Sequence, residues 1–202
     1  MLPTVYDDFS DTYDKNKSCF DLSDVFVDFY TRLKKGGGGR KLLDVGCGTG
    51  ESFSQYFINN NWEVIGIDYS KRMIELASRS VPEMKTIHID MRKAEFLPNQ
   101  FDAITAIYSL FHIQKQDQFI LLNKFYHWLR PEGKALFTYA TKEYTGKDEF
   151  DGYKIFMGQE LYYSHSTPES LYSTLKKIGF SIESTDYRDI GNEIFLWVTV
   201  SK

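Results

Sequence analysis

The residues whose spacing carries the most chemistry lie between Leu42 and Gly50, where the chain reads Leu-Leu-Asp-Val-Gly-Cys-Gly-Thr-Gly. The short apolar run at its start predicts a buried strand. The three alternating glycines then predict a tight turn with no Cβ atom to block a ligand. The residues after Gly50 favour a helix, whose first backbone N–H groups and positive dipole end would face the same place. The pattern therefore indicates a cradle for a nucleotide-like ligand.

The spacing of the glycines narrows the class of ligand. A dinucleotide site needs G-x-G-x-x-G, and Glu51 occupies the position of the third glycine. A P-loop needs Gly-Lys-Ser/Thr, whereas Glu51 and Ser52 follow the turn. The pattern Asp44-x-Gly46-x-Gly48-x-Gly50 resembles motif I of the class I S-adenosylmethionine (SAM) dependent methyltransferases. For the motif alone, the alternative is a glycine-rich turn that binds nothing.

The resemblance assigns roles to the turn. In that family the glycine turn lies against the methionine end of SAM, and the acid in the strand helps to hold its ammonium group. The corresponding cofactor residues here are Asp44, Gly46, Cys47 and Gly48.

Strand-like and helix-like segments alternate along the chain, which predicts a parallel sheet covered by helices. Pro131-Glu132-Gly133 reads as a turn before the fifth strand, and Gly191-Asn192 joins two final strands as an antiparallel hairpin. This order resembles the methyltransferase sheet over roughly residues 40–200. We therefore expect an α/β fold with a Rossmann-like, doubly wound sheet of seven strands, helices on both faces and an antiparallel C-terminal hairpin.

The length of 202 residues is consistent with one domain. We expect a single methyltransferase domain over residues 1–202, with four parts. They are an N-terminal helical cap (1–35), a SAM-binding core (40–140), a lid or insertion (141–165), and a C-terminal helix and hairpin (166–202).

An acidic residue, Asp68, ends the second predicted strand, and open α/β sheets bind ligands at such strand ends. Asp68 lies 24 residues after Asp44, near the offset of about 20 residues known for ribose-binding acids. A carboxylate can accept hydrogen bonds from both ribose hydroxyls. The resemblance makes Asp68 the ribose acid, with Tyr69 and Met73 beside it. The alternative is an N-cap, since Asp68 or Ser70 could cap the helix that follows.

Asp90 and Met91 end the third predicted strand. The resemblance implies that the acid accepts the adenine amino group and that the next backbone N–H contacts a ring nitrogen. An acid here is not part of the dinucleotide fingerprint, although an exposed loop aspartate is the alternative.

The fourth strand runs into Tyr108-Ser109-Leu110-Phe111-His112. This segment is similar to motif IV of small-molecule methyltransferases, which places the backbone near Ile107 on the sulfonium side of SAM. His112 is the candidate proton acceptor, because a neutral imidazole is available near pH 7. The alternative is a histidine that packs or caps behind the loop.

Aromatic residues surround the predicted site. Tyr13 resembles the N-terminal aromatic that covers the cofactor in this family, and Tyr108 and Tyr139 are candidate substrate contacts. Aromatic side chains between residues 139 and 163 could form a lid over the acceptor, or else a packing strand or a dimer contact. His165 is a weaker candidate base, which could instead cap the next helix.

The bulk composition limits partners and location. A net charge of −4 gives no general attraction to phosphate backbones, so no nucleic-acid partner is expected. Two cysteines make neither a disulfide framework nor a metal site, so we expect no metal. The sequence has no apolar run of membrane-spanning length and no signal peptide at its start, and we expect a cytoplasmic protein.

The function that these features predict is methyl transfer from SAM to a small-molecule acceptor by in-line displacement. Three rivals stay open: a SAM-binding regulatory or partner-dependent subunit without activity, a protein or RNA methyltransferase, and an NAD-dependent oxidoreductase. Glu51 and Asp90 argue against the oxidoreductase. The sequence does not identify the acceptor or the oligomeric state.

Overall fold

The computed structural model describes Asp7 and residues 22–35, 39–51 and 53–202. Within these ranges, helices and strands alternate as the sequence predicts. The helices are α1 (Ser23–Lys35), α2 (Phe53–Asn59), α3 (Lys71–Ser80), α4 (Lys115–Trp128), α5 (Lys142–Thr145) and α6 (Pro168–Ile178). The strands are β1 (Lys41–Val45), β2 (Glu63–Asp68), β3 (Lys85–His88), β4 (Phe101–Ala106), β5 (Leu129–Tyr139), β6 (Phe150–Phe156), β7 (Gln159–His165), β8 (Ser181–Ile190) and β9 (Glu193–Ser201). A short 3-10 helix covers Leu110–His112.

Seven of these strands form one sheet in the order β3-β2-β1-β4-β5-β9-β8. Strands β1 to β5 pair with one another in parallel, and β9 pairs antiparallel with both β5 and β8. Gly191 and Asn192 both have positive φ, which suits the tight turn of the β8–β9 hairpin. The predicted seven-stranded sheet with its antiparallel C-terminal hairpin is confirmed.

Helices cover both faces of the sheet. Consecutive strand residues point to opposite faces, and Leu42 and Leu43 of β1 accordingly belong to two separate apolar clusters. The cluster around Leu42 contains side chains of α1, α2 and α3, whereas the cluster around Leu43 contains side chains of α4 and α6. β4 is buried along its whole length because it lies between these two layers.

The start of β5 differs from the prediction. Residues 131–133 were expected to form a turn, but the strand begins at Leu129 and includes them. Its pairing with β4 shifts between the pairs Phe101–Leu129 and Ala103–Lys134. Glu132 has a φ of +64°, and its N–H donates to the carbonyl of Lys202 at 3.1 Å. The hydrogen bond to Lys202 thus holds residues 131–133 in an irregular part of β5.

Residues 141–165 form the segment that the sequence sets apart as an insertion. After the single turn of α5, β6 and β7 pair antiparallel in a two-stranded sheet of their own. We call β6 and β7 the lid hairpin. Among the residues described, no helix combines the length and the apolar character that crossing a membrane requires.

Candidate functional site

A cavity of about 350 Å³ opens at the carboxyl ends of the parallel strands. The glycine turn after β1 forms one wall and is held to β2, because the N–H groups of Gly46 and Cys47 both donate to the carbonyl of Ile67, at 2.8 and 3.0 Å. At Gly48, with a φ of +53°, an added Cβ would meet no atom within 4 Å. The backbone of Gly48 therefore borders open space that a ligand can enter.

Gly46 is needed for a different reason. A Cβ at this position would lie 2.4 Å from the Cβ of Ser109, and the φ of Gly46 is +75°. Ser109 cannot move away easily, since its hydroxyl donates to the carbonyl of Val45 at 2.7 Å. The glycine at position 46 allows the loop after β4 to pack directly on the turn.

Asp44 lies at the cavity wall with its carboxylate held by two hydroxyl groups. Ser54 Oγ donates to Oδ2 at 2.6 Å, and Thr105 Oγ1 donates to Oδ1 at 2.8 Å. Burial raises the pKa of Asp44, although these two hydrogen bonds oppose the shift. Burial, together with the charges of Asp68 and Asp44, also raises the pKa of the Cys47 thiol well above its usual value. Cys47 is therefore protonated near neutral pH and is not a thiolate nucleophile.

Asp68, the last residue of β2, links its strand to the glycine turn. Its Oδ2 accepts the N–H of Gly48 at 2.9 Å, and its Oδ1 accepts the N–H of Ser70 at 2.8 Å. Burial raises the pKa of Asp68, and the backbone hydrogen bonds oppose that shift. The cap of α3 is Ser70, whose Oγ accepts the N–H of Met73 at 3.1 Å. The capping role is thus filled by Ser70, and Asp68 faces the cavity.

Asp7 contacts the first turn of α3. Its Oδ1 accepts the hydroxyl of Ser70 at 2.5 Å and the N–H of Arg72 at 3.2 Å. Tyr13, the predicted aromatic cover, lies outside the described residues, as does most of the predicted cap over residues 1–35. Leu22, just before α1, lines the cavity.

Asp90, which follows β3, is paired with Arg92. The Arg92 guanidinium donates to both carboxylate oxygens, with its shortest contact at 2.5 Å, and it also lies 3.5 Å from Asp117. Burial alone would raise the pKa of Asp90, but the hydrogen bonds and charge of Arg92 outweigh it and the pKa lies below its usual value. Asp90 is therefore an anion near neutral pH, at the edge of the cavity near β3.

His112 lies at the opposite side of the glycine turn, beneath the lid hairpin. Its Nδ1 is 2.7 Å from the carbonyl oxygen of Tyr162 on β7. A carbonyl can only accept, so the proton sits on Nδ1 and Nε2 is the basic nitrogen. Burial lowers the pKa of His112 to about 4, so the ring is neutral at pH 7. The lid hairpin thus fixes both the orientation and the tautomer of the imidazole.

Aromatic rings form the half of the cavity beyond His112. Phe111 stacks on Tyr163 and on Phe195, with ring centroids 5.4 and 4.9 Å apart. Glu193, the first residue of β9, lines the same region and is half-buried. Burial raises its pKa, while a hydrogen bond with Tyr144 opposes the shift. We call this aromatic region with its single carboxylate the acceptor compartment.

The cavity collects most of the residues that the sequence predicted. Those that line it are Asp44, Gly46, Cys47, Gly48, Asp68, Tyr69, Met73, Asp90, Met91, Ile107, Tyr108 and His112. Tyr139 is not brought to the cavity: it is buried, and its hydroxyl accepts the N–H of Ser166 at 2.9 Å. His165 is also elsewhere, with Nε2 2.7 Å from the Thr145 hydroxyl. Thr167, rather than His165, caps α6.

Sequence reasoning missed several residues of the site. Arg92 could have been found from its position two residues after a candidate ligand acid. Phe195 and Glu193 carry no local signal, because only the placement of β9 beside β5 brings them to the cavity. Ser54 and Thr105, which hold Asp44, are 10 and 61 residues away from it in the sequence.

Part of the chain is similar to known proteins. Residues 42–133 match the model of a family described as "Methyltransferase domain". Phosphoethanolamine N-methyltransferase 3 of Arabidopsis thaliana is 36% identical over 129 residues, which are 61% of this chain and 26% of the relative. The chain thus spans about a quarter of the length of that relative.

Solved structures share the fold over most of the chain. A structure described as a putative SAM-dependent methyltransferase from Listeria monocytogenes matches with a TM-score of 0.71 and 22% identity, over 86% of this chain and 97% of the other. The 1,6-didemethyltoxoflavin-N1-methyltransferase of Burkholderia thailandensis, solved with S-adenosylhomocysteine and 1,6-didemethyltoxoflavin, matches with a TM-score of 0.65 and 19% identity, over 98% and 88%. At these identities the likeness shows the fold.

Proposed function

We propose that this chain, whose residues 42–133 match the model of the methyltransferase-domain family, is a SAM-dependent methyltransferase that acts on a small molecule. The observation that carries the proposal is a single cavity bordered by the glycine turn, by Asp68 and by Asp90. These features follow three neighbouring strands, β1, β2 and β3, in the order in which an adenosyl group would cross them. The relatives named above as methyltransferases of small molecules support the same proposal.

The charge of the cavity favours SAM over a dinucleotide. Asp44, Glu51, Asp68 and Asp90 all line it. A pyrophosphate would be repelled by these carboxylates, whereas SAM carries an ammonium and a sulfonium that they attract. The open space at Gly48 gives the ligand a bare stretch of backbone to lie against.

The proposed contacts follow the order of the strands. Asp90 and Met91 would hold the adenine, and Asp68 would hold the ribose hydroxyls through the charged acceptor that a carboxylate provides. Tyr69 and Met73, on either side of the α3 cap, would pack on the adenosyl group. At the other end, Asp44 and the turn residues Gly46, Cys47 and Gly48 would bind the methionine part.

The chemistry needs positioning more than it needs a reactive side chain. When bound, SAM supplies a methyl group on positively charged sulfur, which is transferred by in-line displacement. Ile107 and Tyr108 would border the path, and the aromatic lid would exclude water and hold the acceptor in line.

His112 is the proposed proton acceptor. Nε2 of the neutral ring can accept a hydrogen bond from an N–H or O–H of the acceptor. Where the acceptor atom is a hydroxyl oxygen, its proton becomes strongly acidic as the oxygen gains the methyl group, so even an imidazole with a pKa of about 4 can take it.

The direct test is calorimetric titration of the purified chain with S-adenosylhomocysteine and, separately, with NADH. We expect saturable binding of S-adenosylhomocysteine and none of NADH. Turnover is then assayed by transfer of a radiolabelled methyl group to a panel of amines and phenols. Binding of NADH alone would refute the proposal, and tight cofactor binding without turnover on any acceptor would favour a non-catalytic subunit.

We also propose that residues 1–202 act as one domain, with 141–165 as the lid, and that the protein works in the cytoplasm without a nucleic-acid partner. Cys47, a free thiol in the cavity wall, is consistent with a reducing compartment. Size-exclusion chromatography and cell fractionation test these statements.

A further inference from the structure

The acceptor compartment differs in chemistry from the rest of the cavity. Its walls are aromatic: Tyr163, Phe111 and Phe195 follow one another in parallel stacks. Tyr144 packs on Phe195 with the ring centroids 4.4 Å apart, and its hydroxyl lies 3.1 Å from that of Tyr163. Such a surface favours an apolar or ring-containing body and, through the electron-rich ring faces, a cation.

Glu193 places one carboxylate in this aromatic surface. Because β9 runs antiparallel to β5, its first residue lies at the edge of the sheet where β5 ends. Glu193 lines the cavity, and Tyr144 acts to lower the pKa of its carboxyl group. The charge of Lys154 also lowers the pKa of Glu193; its ammonium donates to the Tyr144 carbonyl and lies 4.3 Å from the centre of the Tyr144 ring.

The cation that the cavity itself contains is far from Glu193. Arg92 is the one lysine or arginine among the described residues that line the cavity. Its guanidinium is paired with Asp90 and Asp117. Asp90 follows β3, and Glu193 begins β9, which is five strands away in the sheet. At about 4.8 Å per strand this separation is about 24 Å. The charge of Glu193 therefore faces the acceptor and not the proposed adenosyl site.

Glu193 is also separated from the proposed proton acceptor. The rings of His112 and Tyr163 have centroids 4.7 Å apart, and those of Tyr163 and Tyr144 are 5.2 Å apart. Two ring contacts thus lie between the imidazole and Tyr144, the tyrosine that acts on the carboxyl group of Glu193. A group held by Glu193 is distinct from the atom that receives the methyl group beside His112.

We propose that the methyl acceptor has an apolar or aromatic body with a cationic amine at one end, and that Glu193 selects it by pairing with that amine. This inference rests on the proposed function and adds the substrate class. It differs from the acceptor in the name of the Arabidopsis relative, phosphoethanolamine, whose phosphate would meet the carboxylate of Glu193.

The test compares three ligands of one shape on the full chain saturated with S-adenosylhomocysteine. Tyramine carries an ammonium opposite its phenol, 4-ethylphenol carries no charge there, and 3-(4-hydroxyphenyl)propionate carries a carboxylate. Phosphoethanolamine is the fourth probe. By calorimetry we expect tyramine to bind about tenfold or more tighter than each of the others, as a charged hydrogen bond allows.

The variant Glu193→Gln should remove this preference and leave the affinities for 4-ethylphenol and S-adenosylhomocysteine unchanged. Glu160→Gln is the matched control, since Glu160 is an exposed acid on the lid hairpin outside the cavity lining, and it should behave as the wild type. The inference is overturned if the propionate or phosphoethanolamine binds more tightly than tyramine. It is also overturned if Glu193→Gln lowers the affinity for all probes equally. If the wild-type chain does not bind S-adenosylhomocysteine, the proposed function on which the inference rests is overturned instead.

Discussion

Replacement of Asp68 by asparagine tests the proposed ribose contact. The carboxylate accepts one backbone N–H on each oxygen, from Gly48 and from Ser70. The amide of Asn keeps one acceptor oxygen but turns an NH2 group toward the other donor, and it removes the charge that would meet the ribose. Loss of a charged hydrogen-bond acceptor costs about 1.5–3 kcal/mol. The dissociation constant for S-adenosylhomocysteine should therefore rise roughly 10- to 150-fold.

The assay is isothermal titration calorimetry, with circular dichroism to show that the variant is folded. The control is Glu63→Gln at the other end of the same strand, where the carboxylate is exposed and pairs with Lys41 at 3.2 Å. Its affinity should stay within about twofold of the wild type, as is usual for an exposed ion pair. If Asp68→Asn is folded and also stays within that range, Asp68 does not hold the ribose and the assignment of the acids at the strand ends is wrong.

Four further outcomes are expected. In Asp90→Ala, the preference for S-adenosylhomocysteine over S-inosylhomocysteine, which lacks the adenine amino group, should fall about tenfold in competition binding; an unchanged preference would exclude the adenine contact. In His112→Gln, kcat should fall about 10²- to 10⁴-fold while cofactor affinity holds, and an unaltered kcat would make His112 structural. The pKa of His112 is lowered to about 4 by burial, so the unfolded chain takes up a proton between pH 6.5 and 4 that the folded chain does not. Between pH 7 and pH 5, the free energy of unfolding from urea titrations should therefore fall by about 2 kcal/mol more in the wild type than in His112→Gln. An equal fall in both proteins would contradict the buried, neutral imidazole. In Tyr139→Phe, the free energy of unfolding should fall by about 0.5–1.5 kcal/mol with KM unaltered, since the hydroxyl bonds Ser166 and not the cavity; a raised KM would restore Tyr139 as a substrate contact.

The order of the sheet could be predicted because each strand signal is local. β1 and β4 read as apolar runs since helices bury both of their faces, and Gly191-Asn192 is short enough to allow only a hairpin. The start of β5 could not be predicted, because the strand pairing there depends on the backbone of Lys202, 70 residues after Glu132. A turn-like sequence was overridden by tertiary pairing.

The placement of the strand-end acids around one cavity was predictable for a geometric reason. Parallel strands end at one edge of the sheet, so the polar residues that follow β2 and β3 must lie near the turn after β1. Tyr139 was misplaced because side chains alternate along a strand: it shares its face with Phe137 and packs into the core between the sheet and helices α4 and α6. Glu193 was missed because its place depends on the insertion of β9 between β5 and β8.

The energetics of Asp44 and Asp68 argue for a cationic ligand independently of any similarity to known proteins. Both carboxylates have raised pKa values because burial penalises their charged forms, and the hydrogen bonds that oppose the shift come from hydroxyl and backbone N–H groups. A folded-state pKa above the unfolded value means that, near pH 7, ionisation of these groups weakens the fold. A positively charged ligand between them removes part of that penalty, whereas an anion increases it. Two acids that cost stability and face one cavity are better explained by a ligand than by the needs of the fold.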